Sequence, residues 1–195
     1  MKRVLFIGLV IAISSSVLYA EEEKASDMIL RYSDKVKAIL KKSIPIEKKK
    51  LEIKKVVDEV LDYNELAKRS LGRHFKDRSK EEIDKFNSLM RDLIETSYLK
   101  KITSTVDYKI EINSENEDEG ELIVDTKISS KEGKVGVGFA VFKRDNKWVV
   151  YDLIIDEVST LKNYKSEFNK IIKEQGFDAV IKKMESKLQE LKDEK

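Results

Sequence analysis

Cysteine is absent from this 195-residue chain, and that absence excludes a thiol nucleophile, a disulfide framework, thiolate metal ligands and a lipid-modified amino-terminal cysteine. Histidine occurs once, at His74, so no second imidazole is available to build a common zinc site around it. Its place beside Gly72, Arg73 and Phe75 reads as a local structural or surface position rather than that of a general base. Glycine is scarce, and no Gly-rich phosphate loop is present. Gly136-Val137-Gly138 lies inside an alternating run, not at a strand-to-helix turn, so it does not fit a dinucleotide fingerprint. An excess of either charge is missing as well. The chain has 39 basic and 37 acidic residues, mixed along its length. A nucleic-acid binder would need a net basic footprint. Interspersed charge describes a solvated surface instead.

One apolar run is present near the start. Met1-Lys2-Arg3 is positive, residues 4–13 are apolar, Ser14-Ser15-Ser16 is small and polar, and Ala20 offers a small residue at a cleavage point. This is the layout of a signal peptide over residues 1–20, and the apolar run is too short to span a bilayer comfortably. Lys2 and Arg3 belong to that segment, so residues 21–195 carry 37 basic and 37 acidic residues. About 175 residues suffice for one ordinary core, and residues 21–195 read as a single domain. An exported domain without disulfides must be stabilised by burial alone.

Residues 26–42 carry Ile29, Tyr32, Val36, Ile39 and Leu40 at helical spacing, and Ser43-Ile44-Pro45 ends the run. Residues 46–61 repeat the pattern with Ile53, Val56, Val57, Val60 and Leu61. Asp62 and Glu65 resemble a capping box, and the short helix after them stops at Gly72. A second box, Ser79 with Glu82, opens a long helix bearing Ile83, Phe86, Leu89, Met90, Leu93, Ile94 and Tyr98 on one face. After Lys101 the period becomes alternating. Val106, Tyr108, Ile110 and Ile112 form one strand, and residues 114–120 an acidic loop. Leu122, Val124, Thr126 and Ile128 form a second strand. Val135, Val137, Phe139 and Val141 form a third, whose other face starts with Gly136, Gly138 and Ala140. After Asp145-Asn146 a fourth strand runs over residues 147–157. Two helices follow, 160–175 and 177 to about 191, divided by Gly176. Helices, then an antiparallel four-stranded meander, then helices make an α+β pattern, which can enclose a cavity between its layers. The bare reading of the third strand's apolar face is ordinary core.

Asp152 and Asp156 share the parity of Trp148, Val150 and Ile154 on the fourth strand. A carboxylate among apolar neighbours can be a proton-transfer group with a raised pKa. It can also be a hydrogen-bonded structural group capping the next helix, and without a partner nucleophile this second reading is preferred. Ser159 reads as a helix N-cap. Lys41-Lys42 and Lys48-Lys49-Lys50 read as solvated helix faces.

Residues 61–75, LDYNELAKRSLGRHF, resemble the amino-terminal signature of the MlaC family, periplasmic phospholipid-binding proteins also called toluene-tolerance auxiliary proteins. Residues 148–168 resemble its carboxy-terminal signature through Trp148, Val150, Tyr151, Asp152, Val158, Ser159, Asn163, Tyr164 and Phe168. Three positions depart from the pattern. Asp156-Glu157 stands where the family has Glu-Gly, Thr160 replaces an apolar residue, and Lys165 replaces an arginine. The resemblance implies an NTF2-like fold around an apolar cavity, in a periplasmic carrier. Its cargo would be a phospholipid moved between an outer-membrane lipoprotein complex and an inner-membrane ABC transporter with MCE-type subunits, thereby maintaining outer-membrane lipid asymmetry. No cofactor, no catalysis and a monomer are implied. On this basis the expected tail-binding wall is Val135, Val137, Phe139, Val141 and Val150 from the sheet. Leu71, Phe75, Phe86, Leu89, Leu93 and Tyr98 would face it from the helices, with Val158 at the rim. A headgroup left in solvent needs no dedicated site. Two other readings remain open: an NTF2-like isomerase or dehydratase using Asp152, Tyr151 or His74, and a pure interaction module.

Overall fold

A computed structural model describes residues 23–105, 107–118 and 121–193. The expected leader, Val106 and Gly120 lie outside the described residues. Three helices come first: α1 (Ala25–Leu40), α2 (Ile46–Val60) and α3 (Tyr63–Leu71). A 3-10 turn (Gly72–Asp77) leads to the long α4 (Lys80–Ser104). The strands are β1 (Tyr108–Asp118), β2 (Glu121–Ser130), β3 (Gly133–Arg144), β4 (Lys147–Ile155) and β5 (Val158–Ser159), and the chain closes with α5 (Thr160–Gln175) and α6 (Phe177–Asp193). The architecture is the α+β arrangement expected, with helices packed on an antiparallel sheet of strand order β1-β2-β3-β4-β5.

Local chemistry sets the helix ends. Ser79 and Glu82 form the full capping box: the Glu82 N–H donates to Ser79 Oγ at 3.2 Å, and the Ser79 N–H to Glu82 Oε2 at 2.7 Å. At α3 only half of the expected box forms. The Glu65 N–H donates to Asp62 Oδ1 at 3.0 Å. The Asp62 N–H instead donates to the Val150 carbonyl at 2.7 Å, where Leu61 and Val150 form a parallel bridge. Glu65 is thereby free to accept from Arg69 Nε at 2.8 Å. A bond to β4 thus replaces half a cap and fixes the start of α3 against the sheet.

Two expectations change. Residues 114–118 are strand rather than loop: β1 stays paired with β2 through Asp118↔Glu121, after a bulge between Ile112 and Ser114. These residues are polar because backbone pairing needs no apolar side chains where a strand end meets solvent. The sheet also has five strands, not four. The expected fourth strand breaks at Asp156-Glu157, where the chain reverses and the two-residue β5 pairs back on Ile154 and Ile155.

The main core lies between the sheet and α3, α4, α5 and α6. Phe86 sits at its centre, edge-on to Phe168 at 5.4 Å and tilted against Phe177 at 6.1 Å between ring centroids. A smaller cluster, Ile39, Leu40 and Ile53, joins α1 to α2.

The candidate lipid cavity

Between α1, α2, α4 and the sheet lies a cavity of about 500 Å³. Tyr32 and Val36 of α1, Val56, Val57 and Val60 of α2, and Ile94, Tyr98, Leu99 and Ile102 of α4 form its helical wall. The sheet contributes Tyr108, Ile110, Ile128, Val135, Phe139, Val150 and Leu153. An apolar enclosure of this size lies within the range of ligand-binding pockets, ~300–1,000 Å³. The sheet supplies one face of alternating side chains, so Phe139 faces the cavity beside its register partner Leu153, and Val135 beside Ile128.

Four of the residues expected at the wall line this cavity: Tyr98, Val135, Phe139 and Val150. The other eight lie elsewhere. Leu71, Phe86 and Val141 are buried in the main core, and Phe75 and Leu89 pack half-buried against it. Leu93 and Val158 border a separate pocket of about 380 Å³ under α5, where Val158 is 61% exposed. Val137 is half-buried without reaching the cavity, and its carbonyl accepts from Thr126 Oγ1 at 2.7 Å. The unforeseen contributors are Ile94, Leu99 and Ile102 of α4, Tyr108, Ile110, Ile128 and Leu153 of the sheet, and the α1 and α2 side chains. For α2 the signal was present in the adjacent apolar pair Val56-Val57, which makes the helix stripe wider than one packing contact requires.

Lys54, Glu95, Lys101, Glu132 and Lys134 are the charged residues that line the cavity. Lys54 meets Glu95, and both line it. Arg91 joins them, 3.6 Å from Glu95 and 3.5 Å from Asp58. Tyr63 lies beside this cluster, and burial, then the Glu95 and Asp58 charges, push its phenol well above the ordinary range. Tyr108 is raised by burial too, and its hydroxyl lies 3.1 Å from Ser33 Oγ.

None of the three candidate catalytic groups lines the cavity. Asp152 Oδ2 accepts from Ser159 Oγ at 2.5 Å and Oδ1 from the Leu161 N–H at 2.8 Å. Ser159 Oγ in turn accepts from the Lys162 N–H at 2.9 Å, capping α5 as expected. Tyr151 donates to Glu121, and the Arg69 guanidinium lies 4.0 Å from the centre of its ring. His74 Nε2 is 3.0 Å from Asn169 Oδ1. Asp156 Oδ1 accepts from the Gly136 N–H at 3.1 Å. All four therefore have local hydrogen-bonding duties. Among the described residues no group of three or more His, Cys, Asp or Glu could hold a metal ion, and no helix is long and apolar enough to cross a membrane.

Known proteins share this sequence and this shape. The chain is 31% identical over 121 residues to the intermembrane phospholipid transport system binding protein MlaC of Haemophilus influenzae. That match covers 59% of this chain and 56% of the relative, so it spans little more than half of the relative's length. The phospholipid-binding protein of Ralstonia solanacearum, solved in complex with a phospholipid, has the same fold. It aligns with a TM-score of 0.77 at 17% identity, over 87% of this chain and 99% of that one. Residues 30–186 match the family model described as MlaC protein, which takes in both signature segments, α2 and α4 and most of α1. The chain belongs to the MlaC family.

Proposed function

We propose that this protein is a periplasmic phospholipid carrier that holds acyl tails in the cavity between α1, α2, α4 and the sheet, and so moves lipid between membranes. The observation that carries this reading is the apolar lining of a cavity of about 500 Å³ in a chain of the MlaC family. The relative's name as an intermembrane transport binding protein and the phospholipid bound to the Ralstonia structure support it. In this proposal Tyr98, Val135, Phe139 and Val150 touch the tails together with Val57, Val60 and Leu153. Leu71, Phe86 and Val141 support the wall from behind. The donor and acceptor would be an outer-membrane lipoprotein complex and an MCE-type inner-membrane ABC transporter.

The physics of such a carrier follows from its cargo. Each methylene transferred from water is worth about 0.8 kcal/mol. Two ordinary acyl chains therefore contribute roughly 20 kcal/mol, at the ceiling of non-covalent affinity. Release into water is negligible on that scale. Transfer into another apolar environment nearly cancels the term, so modest differences in partner affinity can set direction without any chemistry by the carrier.

Purification of the protein from cells followed by native mass spectrometry tests the proposal. A folded chain carrying one phospholipid is the expected species. A chain that stays lipid-free after exposure to phospholipid vesicles would refute it. Turnover that depends on Asp152 would establish the enzyme reading instead.

A further inference from the structure

Positive charge is concentrated at one end of the molecule. Residues 41–55, where α1 ends and α2 begins, hold seven lysines against two glutamates, a net +5. Residues 21–195 are neutral as a whole, so the remainder carries −5. Four of the lysines have partners. Lys42 pairs with Glu52, Lys50 with Glu47 and Lys54 with Glu95, and Lys49 Nζ donates to the Leu40 carbonyl at 2.5 Å. Lys41, Lys48 and Lys55 have none among the described residues, and all three are exposed.

Apolar side chains stand among these lysines. Three large apolar side chains are exposed among the described residues, and two belong to this segment: Ile46 at 46% and Leu51 at 61%. Leu51 follows Lys48 by three positions and precedes Lys55 by four, so the three share the outer face of α2. Ile53 on the inner face is buried against Ile39 and Leu40 and anchors the tip. The tip has a fixed place relative to the cavity. Of the residues lining the cavity, the exposed ones are Lys101, Glu132, Gly133 and Lys134, so it opens where α4 ends beside the β2–β3 turn. Ile39, Leu40 and Ile53 pack on Leu99 and Ile102, which flank Lys101. The basic tip therefore stands beside the mouth.

We propose that the α1–α2 tip docks on an anionic phospholipid bilayer and brings the cavity mouth to its surface. The unpaired lysines attract anionic headgroups, and Ile46 and Leu51 enter the interface, the combination that holds amphipathic helices on membranes. A bilayer accepts projecting aliphatic side chains without a matching recess, which favours it over an acidic protein. The inference rests on the carrier reading for what docking serves; docking itself is measured apart from lipid loading.

The chain over residues 21–195, free of the apolar leader that would itself bind bilayers, is co-sedimented with vesicles of phosphatidylcholine alone and of equal parts phosphatidylcholine and phosphatidylglycerol. It should bind the mixed vesicles and not the neutral ones, and salt should weaken that binding. Replacing the three unpaired lysines together (Lys41→Gln, Lys48→Gln and Lys55→Gln) should weaken binding about a hundred-fold, at roughly five-fold per charge. Leu51→Ser should weaken it about five-fold. A control triple on α5 and α6 (Lys170→Gln, Lys173→Gln and Lys182→Gln) removes the same charge from exposed positions and should change binding little. Fluorescence locates the contact. Leu51→Trp should be quenched by vesicles with brominated acyl chains, whereas native Trp148, whose indole donates to the Glu23 carbonyl ahead of the opposite end of α1, should not. Equal loss of binding in both lysine triples would show attraction without a site and overturn the proposal. So would failure to bind the mixed vesicles, which would leave the tip to an acidic protein. Phospholipid per chain is counted by mass spectrometry on the same samples. A lipid-loaded chain that does not dock overturns this inference alone, and a docking chain that never loads lipid overturns the carrier reading while the docking surface stands.

Discussion

Asp152 and Ser159 form a two-step cap for α5: the carboxylate accepts from the serine hydroxyl at 2.5 Å, and that hydroxyl accepts from the Lys162 N–H at 2.9 Å. With Leu161 N–H on the other carboxylate oxygen, Asp152 ties β4 to the first turn of α5. Asp152→Ala should therefore act on stability. It leaves a buried hydroxyl and a backbone donor unpaired, at a cost of roughly 2–3 kcal/mol. Urea unfolding should show that loss, and mass spectrometry should find unchanged lipid per folded chain. Undiminished stability together with lost lipid would place Asp152 in the binding machinery instead.

The same carboxylate has a pH signature. Burial raises its pKa above the ordinary 3.8, more than the hydrogen bonds from Ser159 and Leu161 lower it. Folding then favours the protonated form. Its contribution to stability is complete below the unfolded value and declines as pH rises through the folded one. Glu65 and Glu121 behave oppositely. Burial alone would raise them, but Arg69 and, for Glu121, the Tyr151 hydroxyl hold them below the usual range, and their contribution is lost on acidification. Because these opposing slopes overlap, the informative quantity is a difference. The stability of Asp152→Asn relative to the parent should improve between about pH 3 and pH 6. A difference that is flat across that interval would contradict the assigned direction.

Substitutions separate the cavity from the core behind it. Val135 and Val57 line the cavity, so Val135→Trp or Val57→Trp should lower bound lipid in a chain that still unfolds cooperatively. Val141 is 1% exposed, with no cavity to grow into. Val141→Trp overpacks the core and should cost about 1–3 kcal/mol before any effect on lipid. The readouts are lipid stoichiometry and the urea midpoint, measured on the same samples.

How far the sequence was legible depended on how local each signal was. The box at Ser79 and Glu82, the ends at Gly72 and Gly176 and the alternation of Leu122, Val124, Thr126 and Ile128 are short-range patterns, and each element appears where its pattern stands. The cavity wall is not short-range. Val135, Val137, Phe139 and Val141 alternate identically along β3, yet only Val135 and Phe139 line the cavity. The bulge in the β3–β4 ladder has its extra residue, Tyr151, on β4, so β3 keeps its parity, and which helix covers which residue is settled by tertiary packing. Phe86 and Val57 illustrate the same limit. Both sit on apolar helix faces, but Phe86 meets two aromatic rings and Val57 meets the cavity.

Gly72 offers a backbone test. It ends α3 at φ 54° and ψ −124°, a combination that residues with a Cβ rarely adopt. A Cβ there would also approach the Lys165 side chain at 3.4 Å, ordinary contact, so space is not the obstacle. Gly72→Ala should then cost about 1–3 kcal/mol from backbone strain alone. Differential scanning calorimetry should show a lower Tm with the cavity variants' lipid phenotype absent.

The turn between β4 and β5 carries the opposite opportunity. Asp156 and Glu157 both have positive φ, 46° and 68°, as do Asp145 and Asn146 in the β3–β4 turn at 49° and 59°. Asp and Asn tolerate that region because their short polar side chains bond locally. The Asp156 side chain reaches across to β3 instead, accepting from the Gly136 N–H. Glu157 is the one of the four whose side chain is too long to help, and it occupies the position where the family pattern has glycine. Glu157→Gly removes a strain of roughly 1–2 kcal/mol and adds chain entropy to the unfolded state, which offsets part of that gain. The expected result is a net stabilisation of about 0.5–1 kcal/mol in urea. Asn146→Glu should move stability the other way by a similar amount, since it places the same unsuited residue in the matching turn. If Glu157→Gly proved neutral while Asn146→Glu was costly, contacts of the Glu157 side chain, and not its backbone, would govern the β4–β5 turn.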